Sequence, residues 1–302
     1  MMQARALRPG QRSEIWVANA RTGVSRRVLE LDSILFEAPN WSLDGRSLYL
    51  NGNGELWKLE LESASLSLIE LPGVPGINND HVLAPRDDEM FVSGNDGHLY
   101  WVRLSTGVSH QLTHDDSRLH FLHGVSPDGK TLAYIGIDRK GPSVGAIYTM
   151  PSSGGESTRI ELPSGHVDGA EFSPDGAWIY CNTESFTEAP GHAQIARVPR
   201  LGGETEHLLS SASVDWFPHL SPDGTLACYL RYPAGTQSHP EDLDVEIVTV
   251  RADDWSSSVS TIPLFGGQGT INVNSWSPDS SEFAFVAYPI SEVTSGANAP
   301  LA

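Results

Sequence analysis

Short apolar runs alternate along this chain with stretches rich in glycine, proline, asparagine and aspartate. Apolar residues at helical spacing are scarce, so the pattern predicts many short strands joined by tight turns, an all-β fold. One turn recurs ahead of an apolar strand, in "WSLDGRSLYL" from 41, "LAPRDDEMFV" from 83, "VSPDGKTLAYI" from 125, "FSPDGAWIYC" from 172, "LSPDGTLACYL" from 220 and "WSPDSSEFAFV" from 276. Serine there can bond nearby backbone, proline presets φ, and Asp-Gly completes a type I turn. The opening residues Ser42, Ala84, Ser126, Ser173, Ser221 and Ser277 are spaced 42, 42, 47, 48 and 56 apart. A period of that length with several strands per unit predicts a β-propeller.

The second unit shows the plan: "DHVLA" before the turn, then "EMFVSG", "GHLYWVRL" and "GVSHQLT". The sixth copy reaches only "EFAFVAY", and its two missing strands match "SEIWVANA" at 13–20 and "GVSRRVLEL" at 23–31. The prediction is a single six-bladed domain over 1–302 with four antiparallel strands per blade. Its last blade is formed by 13–31 plus 271–288, with 289–302 as a tail. Such closure removes exposed sheet edges.

These Ser-Pro-Asp-Gly turns, with the apolar strand and "IY.M"-like third strand that follow, resemble the WD-like repeats of TolB-like propellers, over nearly the whole chain. The resemblance implies the fold and leaves several functions open, since translocation proteins, propeller domains of peptidases and oligogalacturonate-lyase-like enzymes share such repeats. Residues 141–145, "GPSVG", match the Gly-x-Ser-x-Gly spacing, but no helical pattern follows them as a nucleophile elbow requires, which argues against a serine peptidase.

Charge narrows the partners. A formal net charge of −19 opposes a sequence-independent hold on phosphate backbones, so neither nucleic acid nor an anionic membrane is expected. The opening "MMQARALRPGQRSEIWV" lacks a continuous apolar region, and no later run spans a bilayer, so a cytoplasmic location is expected. Cys181 and Cys228 occupy corresponding strand positions and read as buried thiols.

Propeller topology puts the minimal turns on one face and the loops 72–80, 138–145, 182–193 and 232–244 on the other, where long loops on a rigid scaffold usually carry function. The innermost strands begin on that loop face and contribute a polar ring. Candidate ligand-binding residues are Glu37, Asn79, Asp80, His81, Asp168, Asp215, Trp216 and Asn272, with Trp216 offering an exposed ring. His120, His123, His166 and Asp168 are candidates for a divalent metal such as manganese, zinc or calcium, although their spacing matches no ligand motif. Solvation of a water-filled channel explains the same residues without a metal. His239, in a loop expected to act as a mobile cover, joins His120, His123 and His219 as a candidate base. Two functions follow: a binding module for a small polar ligand, saccharide or partner-protein loop, and a metal-assisted lyase similar to the oligogalacturonate-lyase-like propellers.

Overall fold

Five of the six repeated turns, all but the one opened by Ala84, are locked by their own side chains. Ser126 Oγ donates to Asp128 Oδ1 at 2.6 Å and accepts the Thr131 amide at 2.9 Å. The same serine–aspartate pair closes the turns at Ser42, Ser173, Ser221 and Ser277. Gly129 takes φ +70° there, a conformation that strains most side chains, and Ser280 adopts it in the sixth copy. The turn therefore delivers each chain reversal in one register.

The computed structural model describes residues 4–86 and 88–291. Five four-stranded antiparallel sheets begin with the inner strands Phe36–Trp41, Ile77–Leu83, Arg118–Val125, Val167–Phe172 and Val214–Leu220. The sixth orders Ser25–Leu31, Ser13–Asn19 and Glu282–Ala287, with Trp16 opposite Phe285, so the first strand of the chain closes the ring against the last. The inner segment of this blade is irregular. It meets Glu282–Ala287 through the Trp276–Phe283 bridge and through the Thr270 and Ser275 carbonyls. Asn272 and Asn274 bond the Gly269 and Trp276 amides, an alternative to ladder pairing.

Apolar faces of adjacent blades pack together; Ile15 and Val17 of the closing strand, for instance, share a cluster with Phe36, Leu48 and Leu50 of the first blade. Cys181 and Cys228 are buried free thiols. Of the expected tail, 292–302 lies outside the described residues, while Ile290 bridges to Gln11 and the Ser291 amide bonds the Gly10 carbonyl. No helix among the described residues is long and apolar enough to cross a membrane.

The five regular inner strands share one irregularity. Their pairing shifts between Glu37 and Asn40, Ile77 and His81, Leu122 and Gly124, Asp168 and Glu171, and Trp216 and His219. A bulge bends its strand and re-aims side chains. Ala38, Gly169 and Phe217 all take positive φ at these bulges, with values of 50°, 70° and 54°. The ring thus presents its polar residues where the ladders break.

Candidate functional site

The bulges open onto a cavity of about 350 Å³ at the loop-face end of the channel. Its wall brings together Glu37, Asn79, Asp80, His123, His166, Asp168, His239 and Asn272 from the expected set. Ser143 and Ser238 reach it from the loops 138–145 and 232–244, and Phe121, Ile137 and Phe217 supply apolar surface.

Asp168 is the centre of its charge. His123 Nε2 donates to Asp168 Oδ1 at 2.9 Å, and His239 and His166 hold their Nε2 atoms 3.6 and 4.0 Å from Oδ2. Asp80 Oδ1 lies 3.9 Å from the same His123 nitrogen. Burial alone would strip the proton from His123, but the Asp168 charge and hydrogen bond, aided by Asp80, carry its pKa up to about 9. Burial likewise acts to raise Asp168, and the His123 charge and hydrogen bond overcome it, holding the carboxyl well below its ordinary range. Asp80 accepts from Asn78 at 2.9 Å but lacks so close a charged partner. Burial, with Asp168 adding to it, pushes its pKa up to about 7 despite the opposing His123 charge. Two carboxyls with opposite tendencies therefore flank one imidazolium.

A group of donors surrounds Glu37, whose carboxylate accepts from the Arg5 guanidinium at 2.9 Å, Asn51 at 3.0 Å and Asn79 at 3.2 Å. Gly269 approaches this carboxylate so closely that an added Cβ would stand 2.6 Å from Oε1. The glycine-rich stretch 266–270, "GGQGT", is thereby part of the cavity wall, and Gln268 joins it to His239 through a contact of 2.5 Å to Nδ1.

Other expected residues are elsewhere. Trp216 has no exposed ring: it is fully buried, because the bulge after it turns Phe217 into the left-handed region, and His239 packs on it at 4.4 Å. His81 is buried between Asn40 at 2.7 Å and Asn51 at 3.3 Å, and burial lowers its pKa to about 3. His120 bonds the Gly97 carbonyl at 2.7 Å and stacks on His98. His219 faces Glu171 at 2.6 Å and the Ile271 carbonyl at 2.5 Å, tying three blades together. Asp215 is fully buried and bonded to Ser211 and Ser213. His120, therefore, does not join His123, His166 and Asp168, and among the described residues no group of three His, Cys, Asp or Glu side chains is arranged to hold a metal ion.

The fold agrees with that of relatives. A protein described as uncharacterized, Atu1656 of Agrobacterium fabrum, is 38% identical over 284 residues, covering 92% of each chain. A solved TolB-like structure from Agrobacterium tumefaciens matches with a TM-score of 0.84 at 36% identity, over 93% of this chain and 99% of that one. The chain belongs to the TolB-like β-propeller family. TolB from Acinetobacter baumannii shares the fold at 17% identity and a TM-score of 0.64, over 85% of this chain and 64% of that one. An oligogalacturonate lyase from Vibrio parahaemolyticus does so at 15% and 0.58, over 92% and 77%. No family model matches the chain.

In this TolB-like propeller the residue that repeat alignment missed is Arg5, which precedes the first strand and has no counterpart in any other unit. Its signal was the chemistry of an arginine beside a ring of carboxylates. Gln268 was missed because a glycine-rich stretch without phosphate-loop spacing reads as a plain connection.

Proposed function

We propose that this TolB-like propeller is a binding module whose channel mouth takes a small polyhydroxylated ligand, of saccharide class, without covalent chemistry. The observation that supports it is the lining: Asn51, Asn78, Asn79, Asn95, Asn272 and Gln268 all border one cavity of about 350 Å³. That volume is within the range of small-ligand pockets. A carboxamide offers donor and acceptor together, which suits vicinal hydroxyl groups, and the carboxylates accept from the same hydroxyls. Phe121 and Phe217 provide ring surface for the apolar faces of such a ligand. The lyase alternative requires several side chains converging on one ion, and the described residues supply no such group.

The test is a saccharide panel screened by calorimetry against the wild type and Asp168→Asn. Binding that weakens in the variant supports the reading. Ligand contacts that map by NMR or cross-linking to the Asp-Gly turn face, or a partner protein that competes there, would overturn it.

A further inference from the structure

Residues ahead of the first strand lie across the loop-face mouth, and one side chain enters it. Arg5 Nη1 donates to Glu37 Oε1 at 2.9 Å and to the Gln268 carbonyl, and Asp242 Oδ1 stands 3.9 Å from Nη2. The guanidinium carbon lies 4.9 Å from the centre of the Tyr288 ring. Carboxylate, carbonyl and aromatic face together are what a protein uses to hold an organic cation. These groups come from separate parts of the chain, Glu37 on the first inner strand and Asp242, Gln268 and Tyr288 from the last two blades.

The segment that carries Arg5 is lightly attached. Among the described residues before Ser13 it pairs with no sheet apart from the Gln11–Ile290 bridge. The Ser291 amide bonds the Gly10 carbonyl and the Arg12 amide the Pro289 carbonyl, and side chains add to this: Arg8 Nε lies 2.9 Å from Asp242 Oδ2, and Gln11 Nε2 donates to Asp242 Oδ1 at 2.6 Å. Withdrawing Arg5 breaks no strand pairing, and a tethered group of this kind competes with any free ligand for its acceptors.

We propose that Glu37, Asp242, the Gln268 carbonyl and the Tyr288 ring form a subsite for an ammonium or guanidinium group on the channel ligand, and that Arg5 fills this subsite until the ligand displaces it. The proposal rests on the channel mouth being a ligand site and names a chemical feature of that ligand. In its simplest form the ligand is an amino-substituted saccharide: hydroxyls meet the carboxamides and the cation replaces Arg5. Apparent affinity is then reduced by the fraction of molecules in which Arg5 is seated.

Calorimetry with glucosamine and its neutral counterpart N-acetylglucosamine tests this in the full chain, comparing the wild type, Arg5→Ala and Arg5→Ala/Glu37→Gln. Arg5→Ala should bind glucosamine at least tenfold more tightly than the wild type, with N-acetylglucosamine changing less than threefold, and Glu37→Gln should cancel the gain. Arg5→Gln, which retains a donor for Glu37, repeats the comparison if Arg5→Ala is poorly folded by its melting curve. An equal gain for both sugars overturns the proposal, because Arg5 would then be a mere obstruction. N-acetylglucosamine binding without any glucosamine gain overturns the cation subsite and leaves the channel reading standing. Silence from both sugars in every variant overturns the subsite, and the saccharide panel then judges the channel separately.

Discussion

His123 Nε2 and Asp168 Oδ1, 2.9 Å apart, join the third blade to the fourth across the mouth of the channel. His123 lies within the bulge of its strand, and Asp168, opposite Asn182, is the last paired residue before the bulge of its own. Asp168→Asn keeps the shape and removes the charge. The variant should lose about 3 kcal/mol of stability, the cost of leaving a buried charge unpaired. Its His123 titration, read from the imidazole proton signals, should move down toward neutral pH. An unmoved titration would show that Asp80, at 3.9 Å, holds the proton instead.

The same cluster sets a pH dependence. His123 has its folded pKa raised to about 9, so its contribution is complete below the ordinary histidine value of about 6.5 and disappears as pH rises through 9. Asp80 is raised to about 7, so its contribution is complete below the ordinary aspartate value of about 3.9 and is lost as pH climbs to 7. Asp168 is depressed, and its contribution, present above that ordinary value, is lost only in stronger acid. Urea unfolding should therefore show stability declining from pH 5 to 9 in two parts. Asp80→Asn should flatten the lower part and His123→Asn the upper; a wild-type curve flat from pH 5 to 9 would contradict both assignments.

His219 should behave as structure. Its ring lies between Glu171 of the fourth blade and the Ile271 carbonyl of the sixth, and it lies outside the cavity wall. His219→Phe should cost roughly 3 kcal/mol by leaving buried acceptors unmet, while saccharide affinity in the folded fraction stays within about twofold. A large affinity loss at unchanged stability would restore it as a site residue.

The segment around His239 is a brace for the cavity more than a loose cover. Gln237 Nε2 donates to the Pro190 carbonyl at 2.8 Å, and the His239 ring packs on Trp216 and Phe217. His239→Ala should shift the tryptophan fluorescence, cost about 1 kcal/mol and weaken saccharide binding about tenfold. Unchanged fluorescence would mean that the ring is not seated on Trp216 in solution.

The repeat was legible because each turn is a local chemical unit: Ser126, Asp128 and Gly129 need only one another. Closure was legible by subtraction, since two strands were missing at one end and spare at the other. The site was legible only by position. Alignment to the turns located Glu37, Asp168 and Asn272 in the ring but carried no information on the bulges, and the bulges decide that Asp168 faces the cavity while Trp216 and Asp215 are buried. Histidines were the hardest to assign, because His81, His120 and His219 satisfy interblade carbonyls, amides and carboxylates as readily as His123 lines a pocket.

The pairing of Trp16 with Phe285 also dictates an order of events during synthesis. The strand made first must wait for the strand made last, and until then one edge of Ser13–Asn19 and the apolar flank of the first blade have no partner. Late, long-range pairing is slow and leaves nascent chains open to association. A ribosome that stops shortly before Glu282 releases a chain lacking the strand that pairs with Ser13–Asn19, so that edge stays open and available for association with other chains.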